Sequence, residues 1–463
     1  MSKKVFDVAV IGAGTAGLST VSEIQRHTDN FVLINKGEYG TTCARVGCMP
    51  SKVLIQVAND FYSRKIFAKE GIKGSQYLEA KSDLVMKYVR SLRDRFVKSV
   101  INDVRKIGDK NLQGSARFLD PTILQVGPHI IKARKVIIAT GTTPVIPSDW
   151  LNLKNLILTT DQLFEEKILP SSMVTVGLGP IGLEMGQALH RLGVKMTGVG
   201  QSKFIGNLSD PVVNGYAIKL LGLEFELNLG HEAVVKEKNK KLTITAGKKT
   251  YKVEKVLASL GRKPNLSGLG LKEIGIKFDK NEIPVFNINT LQVGKFPIFI
   301  VGDVKHYRSV LHEAADDGRI AGFNSMQKKP QAFERRIPLN ITFCDPNIAT
   351  VGKTFESLTH EKFITGESIF DSGRSIILGS TGILRIYGKP KTGLLLGAEM
   401  IAPAGEHLAH LIACMIHQKM TVFDALKLPI YHPTLEEGLR HALRDLSKQV
   451  TGLRPRLDLE KIK

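Results

Sequence analysis

The chain has 463 residues, too many for one hydrophobic core, which predicts about two to four domains. Hydrophobic residues make up 43% of the chain and charged residues 24%, which is typical of globular proteins, and no apolar run is long enough to span a bilayer. The net charge of +21 is high, but the basic residues are spread along the chain without a long block, which favours a basic solvated surface over a nucleic-acid groove. We therefore expect neither a membrane nor a nucleic acid as partner.

A glycine-rich turn follows the first apolar segment. Val5–Ile11 predicts a buried strand, and Gly12, Gly14 and Gly17 follow it before a predicted helix. In such a turn the first glycine permits a tight bend, the second lets the backbone approach a pyrophosphate, and the third allows the helix to pack on the strand. The segment therefore predicts a dinucleotide site. Because it lacks the longer apolar region and cleavage site of a signal peptide, we expect a cytoplasmic protein.

Cys43 and Cys48 form a close pair in the segment that leads to Lys52. Residues five apart in a regular helix have Cα atoms about 8.6 Å apart, beyond the roughly 7 Å that a disulfide allows, but Gly47 relaxes the backbone between the cysteines. Pro50 fits the first turn of a helix that starts just after Cys48, and a helix N-terminus stabilises a thiolate. This pattern favours a redox-active pair.

Two alternatives for the pair are a static disulfide and half of a metal site. A static disulfide suits a cytosolic chain poorly, because thiols are kept reduced there. A zinc site would need a second closely spaced pair, and the remaining cysteines, Cys344 and Cys414, stand alone and are interpreted as small core residues. We therefore expect redox chemistry and no metal ligand.

The middle and the end of the chain differ in the spacing of their apolar residues. Residues 53–106 have helical spacing with many charges, which predicts one or two long helices. Pro144 and Pro147 mark a domain boundary near residue 147. From about Arg336, alternating segments precede a helical region over residues 406–419, which predicts an α+β domain at the C-terminus.

The strand–turn–helix–strand pattern recurs after residue 170. Val174–Val176 predicts a strand, and Gly177, Gly179 and Gly182 form the turn before the next predicted helix. Because the context that a dinucleotide turn requires is met twice, the sequence predicts two nucleotide-binding domains of the same type.

The residue that closes the second strand of such a unit normally carries an acid for the ribose hydroxyls. In the first unit this position falls at Asn35, which can hydrogen-bond but carries no charge. In the second it falls at Gly200, which is followed by Gln201, Ser202 and Lys203. Since Gly200 offers neither a carboxylate that favours NAD nor an arginine that favours NADP, we expect a modest preference for NAD, with NADP possible.

Several ordered motifs together resemble those of the pyridine nucleotide–disulfide oxidoreductases, over essentially the whole chain. Within that family the pattern is most similar to the dihydrolipoyl dehydrogenases. The motifs are the two glycine turns, the cysteine segment through Lys52, Ala139-Thr140-Gly141, Glu184, Gly261-Arg262-Lys263-Pro264-Asn265, Val301-Gly302-Asp303 with Leu311-His312-Glu313-Ala314, and His432-Pro433-Thr434-Leu435-Glu436-Glu437.

The resemblance implies an α/β protein with two Rossmann-like domains and a C-terminal α+β dimerisation domain. Residues 1–147 and 270–335 would form the FAD-binding domain and residues 148–269 the NAD(P)-binding domain. Residues 336–463 would pair two subunits into a homodimer.

The resemblance also implies roles in cofactor binding. Asp303 is similar to the acid that holds the ribityl and phosphate region of the flavin, and Lys52 to the lysine near its reactive nitrogen, with Glu184 as ion-pair partner. The full implied cofactor set is Gly12, Gly14, Gly17, Asn35, Thr42, Lys52, Gly114, Ala116, Thr140, Gly141, Gly177, Gly179, Gly182, Glu184, Gly261, Asp303 and Leu311.

By the family pattern, Cys48 is the sulfur that lies against the flavin and Cys43 exchanges with the substrate. Exchange needs a proton shuttle, and His432 resembles the one that the family uses, with Glu437 orienting its imidazole. The partner subunit contributes this pair in the family. The implied substrate carrier is the lipoyl domain of a 2-oxo acid dehydrogenase or of a glycine-cleavage component.

Departures from the family pattern lie around this redox core. Thr41 replaces a frequent glycine, Ala44 and Arg45 replace the usual residues between the cysteines, and Tyr431 precedes His432 where a small residue is usual. These changes leave the redox residues intact but bear on the substrate.

Other activities in the family differ from this one in their cysteine motifs. Mercuric reductases and large thioredoxin reductases carry a further C-terminal redox pair, and Leu453–Lys463 contains no cysteine. Soluble transhydrogenases lack the cysteine pair altogether. A glutathione-type NADPH disulfide reductase remains an alternative, and a non-catalytic nucleotide-binding adaptor is an alternative of another class.

Overall fold

The computed structural model describes residues 4–153, 155–238, 241–455 and 457–459. Its first elements are β1 (Val5–Ile11), α1 (Thr15–Ile24), β2 (Phe31–Asn35), α2 (Thr42–Val46), α3 (Cys48–Phe67), α4 (Ser82–Arg105), β3 (Asn111–Gln113), β4 (Ala116–Asp120), β5 (Ile123–Val126), β6 (His129–Ile138) and β7 (Thr142–Pro144). The next are β8 (Ile157–Leu158), α5 (Thr160–Leu163), β9 (Ser172–Val176), α6 (Pro180–Arg191), β10 (Lys195–Gly200), α7 (Pro211–Gly222), β11 (Glu226–Leu229), β12 (Val234–Lys238), β13 (Lys241–Ala246), β14 (Lys249–Val253), β15 (Lys255–Ala258) and β16 (Arg262–Pro264). The last are β17 (Ile298–Ile300), α8 (Leu311–Ser325), β18 (Leu339–Thr342), β19 (Asn347–Gly352), α9 (Phe355–Leu358), β20 (Ile364–Ile369), α10 (Arg374–Ile377), β21 (Ile383–Gly388), β22 (Leu395–Ala402), α11 (Gly405–His417), α12 (Val422–Leu426) and α13 (Glu436–Lys448).

The first sheet is built around β1, in the order β3-β2-β1-β6-β5-β4 with β17 also paired to β6. β1 pairs in parallel with both β2 and β6, so it is an interior strand of the sheet. Ala9 and Ile11 pack into the core on one face, and Val8 and Val10 pack on the other with residues of α1 and α8. Burial on both faces explains why Val8–Ile11 forms one continuous apolar run.

The second sheet has the order β11-β10-β9-β15-β8, and all its strands are parallel. The antiparallel strands β12, β13 and β14 pack on one of its faces, where Val174 and Val199 meet Leu242 and Ile244 in one core. On the other face α6 packs against α3 and α4, whose residues share a core with Met185.

The C-terminal unit is an antiparallel sheet in the order β18-β19-β22-β21-β20. Its apolar residues share one core with α11, α12 and α13. Every residue of β22 is buried, which suits the central strand of a sheet that lies beneath helices.

The α/β class with two dinucleotide-type sheets and a C-terminal α+β unit is confirmed. The helical stretch predicted over residues 53–106 forms two helices, and the first begins at Cys48 itself. Cys344 is buried as predicted, but the core assignment of Cys414 is wrong, because its side chain lies on the solvent face of α11. Among the described residues, no helix combines the length and apolarity needed to cross a membrane.

Candidate functional site

A cavity of about 1220 Å³ opens where the parallel strands of the first sheet end. Gly12 has a φ of +113°, and a Cβ there would lie 2.3 Å from the carbonyl oxygen of Ala139. A Cβ at Gly17 would lie 1.9 Å from the carbonyl oxygen of Gly12, so helix and turn touch at backbone distance. Both glycines are therefore required by packing, and Gly14, with open space around it, faces the cavity.

Polar groups around this cavity fit a dinucleotide. The hydroxyl oxygen of Thr140 is buried and has no hydrogen-bond partner among the described residues, so it is placed to bond a ligand. Asn35 accepts a hydrogen bond from the amide of Ala13 at 3.2 Å, which ties the end of β2 to the glycine turn. The implied cofactor residues that line the cavity are Gly12, Gly14, Asn35, Thr42, Gly114, Ala116, Thr140 and Gly141.

Asp303 lies outside the cavity lining, in a 3-10 turn (Gly302–Lys305) that follows β17. Burial raises the pKa of its carboxyl, and nearby Arg262 and Lys305 oppose that rise. Leu311 begins α8 with a half-exposed side chain, and Gly261 takes a φ of +88° just before β16.

A buried ionic cluster that the sequence analysis missed supports this turn. Lys305 lies 3.2 Å from the carboxylate of Asp317, which also accepts a hydrogen bond from the amide of Gly302 at 2.9 Å. Arg335 donates to Asp317 and to Glu313, each at 2.6 Å. The only signal for this cluster in the sequence was the spacing of Glu313 and Asp317, which are four residues apart and therefore lie on one face of α8. The cluster fixes the backbone on either side of Asp303.

The two redox cysteines lie at the junction of α2 and α3. Cys43 is in α2, and Cys48 is the first residue of α3, whose N-cap is Gly47. The hydrogen bond from the Cys43 thiol lowers the pKa of Cys48 to about 7, with a further contribution from Lys52 and against the effect of burial. The same hydrogen bond, together with burial, raises the pKa of Cys43. Cys48 is thus favoured as the thiolate, and Cys43 as the thiol that donates a hydrogen bond to it.

Thr41, at the N-cap of α2, has a φ of +59°. Its hydroxyl accepts a hydrogen bond from the amide of Ala44 at 3.2 Å. A β-branched residue is strained by on the order of 1–3 kcal/mol in such a conformation. The cysteine segment is therefore held in place by surrounding structure.

Lys52 is held by the other two units of the chain. Its ammonium lies 2.8 Å from one carboxylate oxygen of Glu184, on α6. The other oxygen of Glu184 accepts a hydrogen bond from the amide of Phe343 at 2.9 Å, and the ring of Phe343 lies 4.4 Å from the ammonium. The sequence analysis paired Lys52 with Glu184 but missed Phe343, since an aromatic residue after a strand carries no distinctive signal.

His432 and Glu437 meet at the start of α13. Nδ1 of His432 lies 3.0 Å from a carboxylate oxygen of Glu437, and Arg440 donates to the other oxygen at 3.0 Å. The hydrogen bond with His432 lowers the pKa of Glu437, which favours the carboxylate. The His432 side chain is 74% exposed and lines a cavity of about 160 Å³ whose lining residues all belong to the C-terminal unit.

A second large cavity, of about 500 Å³, opens at the carboxyl end of the second sheet. Its glycine turn repeats the first, because a Cβ at Gly177 would lie 2.3 Å from the carbonyl oxygen of Ser259 and one at Gly182 would lie 1.9 Å from that of Gly177. Gly177, Gly179 and Gly200 line the cavity. Gly182 and Glu184 do not line the cavity. Gly182 packs against the backbone of Gly177, and Glu184 binds Lys52.

Two cavities with dinucleotide-type glycine turns and a close pair of cysteines in one chain define a class of protein. The sequence model of the pyridine nucleotide-disulphide oxidoreductases matches residues 6–318, and that of their dimerisation domain matches residues 339–443. The chain belongs to this family, and its cofactors are FAD and NAD(P)H. It is therefore an oxidoreductase that acts on a sulfur group.

Similar proteins carry more than one activity. A dihydrolipoyl dehydrogenase of Thermus scotoductus is 30% identical, over 96% of this chain and 98% of that protein, and the human mitochondrial enzyme is 28% identical, over 94% and 89%. A mercuric reductase of Bacillus cereus is 26% identical, over 97% and 72%. The flavoprotein disulfide reductase RclA of Escherichia coli, solved with Cu(II), shares the fold with a TM-score of 0.82 at 19% identity, over 96% and 99%.

These comparisons confirm the predicted family and the predicted FAD and NAD(P) cofactors. The roles assigned to single residues and the domain limits stay predictions.

Proposed function

We propose that the protein moves electrons between NAD(P)(H) and a dithiol or disulfide through Cys43 and Cys48, as a dihydrolipoyl dehydrogenase. The observation that carries the proposal is the asymmetry of the two sulfurs. The pKa of Cys48 is lowered to about 7, chiefly by the hydrogen bond from Cys43, whose own pKa is raised. A thiol–disulfide exchanger needs this division between a resting thiolate and an exchanging sulfur.

The exchange steps follow from this arrangement. A substrate thiolate attacks Cys43 of the oxidised pair, and Cys48 leaves as a thiolate near the charge of Lys52. The second substrate sulfur then displaces Cys43 from the mixed disulfide, so the substrate departs as a disulfide and two electrons remain on the cysteines. Bound FAD supplies electron transfer between this pair and the nicotinamide, because no side chain accepts a hydride.

His432 is proposed to take up the protons that the substrate thiols release. Glu437 holds Nδ1 at 3.0 Å, which leaves Nε2 for the substrate. The exposed imidazole and a cavity lined by the C-terminal unit alone support a homodimer in which His432 serves the cysteines of the partner subunit. The matched dimerisation domain supports the same arrangement.

The proposed substrate is a lipoyl group on the carrier domain of a 2-oxo acid dehydrogenase or glycine-cleavage component. The similarity to dihydrolipoyl dehydrogenases along nearly the whole chain supports it. Lipoamide is a cyclic disulfide without charge, and an exposed site of this kind can receive it from a carrier.

Steady-state assays of the purified protein test the proposal directly. We expect turnover with NAD and dihydrolipoamide to exceed turnover with NADPH and glutathione disulfide or Hg(II) by about a hundredfold or more in kcat/KM. A higher kcat/KM with glutathione disulfide would instead establish a glutathione-type reductase. A colourless protein without flavin would favour the non-catalytic nucleotide-binding adaptor.

A further inference from the structure

A buried carboxylate of the C-terminal unit holds one end of a loop that belongs to the unit of the second sheet. Glu399, on β22, has no solvent exposure. Its carboxylate accepts hydrogen bonds from the amides of Ser209 at 2.7 Å and Asp210 at 2.9 Å, and from the hydroxyl of Ser209. The amide of Phe355, in the C-terminal unit itself, donates to it at 2.8 Å. This carboxylate therefore joins two units, and the proposed exchange steps do not use it.

Ser209 and Asp210 end the loop that connects β10 to α7. The other end of the loop is Gly200, which β10 fixes in the second sheet. Asn214, in the first turns of α7, accepts a hydrogen bond from the amide of Ile205 at 3.0 Å, so the middle of the loop follows the start of this helix. The loop residues that line the second large cavity are Gln201, Ser202, Phe204, Gly206, Asn207 and Leu208. The position of the loop's end therefore sets the shape of one wall of that cavity.

The loop also lies directly on the C-terminal sheet. A Cβ at Gly206 would lie 2.8 Å from Cδ1 of Ile348, on β19. Asp210, which has no solvent exposure either, accepts two hydrogen bonds of 2.7 Å from Arg385, on β21. Arg385 and Glu399 stand opposite each other in the register of β21 and β22. Two paired residues of this sheet thus bind the end of the loop.

A loop that is ordered before its ligand arrives binds that ligand more tightly, because the cost of ordering the loop is not deducted from the binding free energy. When only a fraction of the molecules holds the loop in the competent position, the apparent dissociation constant rises by the inverse of that fraction. Glu399 bonds to the backbone of the loop, so its loss would release the loop's end directly.

We propose that Glu399 is a positioning residue of the NAD(P) site. It does not line the cavity, but it holds the end of the loop between β10 and α7 in the position that receives the coenzyme. The dimerisation unit thereby contributes to coenzyme affinity without contacting the coenzyme. The proposal rests on the NAD(P) site predicted in the second large cavity and deepens it.

The test uses the oxidised holoenzyme and ADP-ribose, which carries the adenosine and pyrophosphate of the coenzyme but no nicotinamide. Isothermal titration calorimetry measures its dissociation constant without redox chemistry. In Glu399→Leu, whose side chain accepts no hydrogen bond, we expect this constant to rise about tenfold. In Glu399→Gln, whose amide oxygen can still accept from the amides of Ser209 and Asp210, it should stay within about threefold of the wild-type value.

Rapid mixing with NADH separates binding from chemistry. In Glu399→Leu the half-saturating concentration of NADH should rise about tenfold, while the limiting rate of flavin reduction stays within about twofold of wild type. Met400→Ala is the matched control, since Met400 is equally buried on the same strand but packs into the core shared with α11, α12 and α13. It should lower the melting temperature and leave the dissociation constant of ADP-ribose unchanged.

Amide hydrogen exchange tests the wild-type protein, whatever the stability of the variants. Without coenzyme, the amides of Ser209 and Asp210 should exchange as slowly as those of β22. In Glu399→Leu they should exchange about tenfold or more faster. Fast exchange of these two amides in the coenzyme-free wild type would overturn the proposal, because the loop would then not be ordered in advance.

Gly179→Val separates a failure of the site from a failure of Glu399. Gly179 lines the cavity with open space around it, so valine should obstruct a pyrophosphate without disturbing the fold. Unchanged binding of ADP-ribose in Gly179→Val would overturn the coenzyme site on which the proposal rests. Weaker binding in Gly179→Val with unchanged binding in Glu399→Leu would overturn the role of Glu399 alone. Equal losses of affinity in Met400→Ala and Glu399→Leu would also overturn it, since general destabilisation would then account for both.

Discussion

The asymmetry of the cysteine pair can be tested by changing Cys43 to serine and to alanine. Serine keeps a hydroxyl that can donate a hydrogen bond to the Cys48 thiolate, and alanine removes the donor. The structure attributes the lowered pKa of Cys48, about 7 against an ordinary 9.0, first to that hydrogen bond and then to Lys52. The two variants thus differ in the larger of the two stabilising contacts.

The size of the effect follows from these contributions. Loss of both contacts would leave the effect of burial and raise the pKa above its ordinary value, but Lys52 remains in the alanine variant, and Cys48 is partly exposed to solvent, which screens every charge interaction. We therefore expect Cys43→Ala to raise the pKa of Cys48 by about one and Cys43→Ser to leave it nearly unchanged. Because the thiolate forms above the pKa, it is lost as the pH falls, and its share at pH 7 should drop from about one half to about one tenth in Cys43→Ala.

The assay is a pH titration of the long-wavelength charge-transfer absorbance between thiolate and flavin in the oxidised holoenzyme. Lys52→Met in the Cys43→Ser background should also raise the midpoint of that titration, by less than Cys43→Ala does. Equal midpoints for Cys43→Ser and Cys43→Ala would refute the hydrogen-bond explanation. A band that persists in Cys48→Ser would show that the two sulfurs were assigned the wrong way round.

His432→Gln should lower turnover with dihydrolipoamide by on the order of a hundredfold, while oxidation of NADH by oxygen persists, and equal loss of both rates would point to a folding or dimer defect. Gly17→Ala should lower the melting temperature of the FAD-free protein, since the new Cβ would lie 1.9 Å from a backbone oxygen, at a cost of about 1–3 kcal/mol. Gly14→Ala has open space around it, so calorimetry should find the FAD-free protein unchanged but its affinity for FAD reduced. Equal stabilities of the two glycine variants would contradict these packing roles.

Much of the architecture could be predicted because it depends on local patterns. No residue with a Cβ fits at Gly12 or Gly17, because the backbone of another segment lies too close at each position. The spacing of these glycines therefore predicts the turn directly. The continuous apolar run Val8–Ile11 in β1 indicates a strand that is buried on both faces.

The parts that could not be predicted depend on which distant residues meet. Phe343 contacts Lys52 across the fold, and Lys305 and Arg335 both reach Asp317 only when the sheet and α8 are assembled. The error at Cys414 has the same origin, since composition does not tell which face of a helix is covered.

The contact between Glu184 and the amide of Phe343 has a consequence for the independence of the three units. One carboxylate oxygen of Glu184 binds Lys52 of α3, and the other accepts a hydrogen bond from the turn between β18 and β19 of the C-terminal sheet. Arg191, on the same helix as Glu184, is likewise bound to Asp345. A fragment that ends before residue 339 would therefore lack more than its dimerisation surface: Glu184 would lose the amide of Phe343 and Arg191 would lose Asp345, so the carboxylate beside Lys52 would be held less firmly.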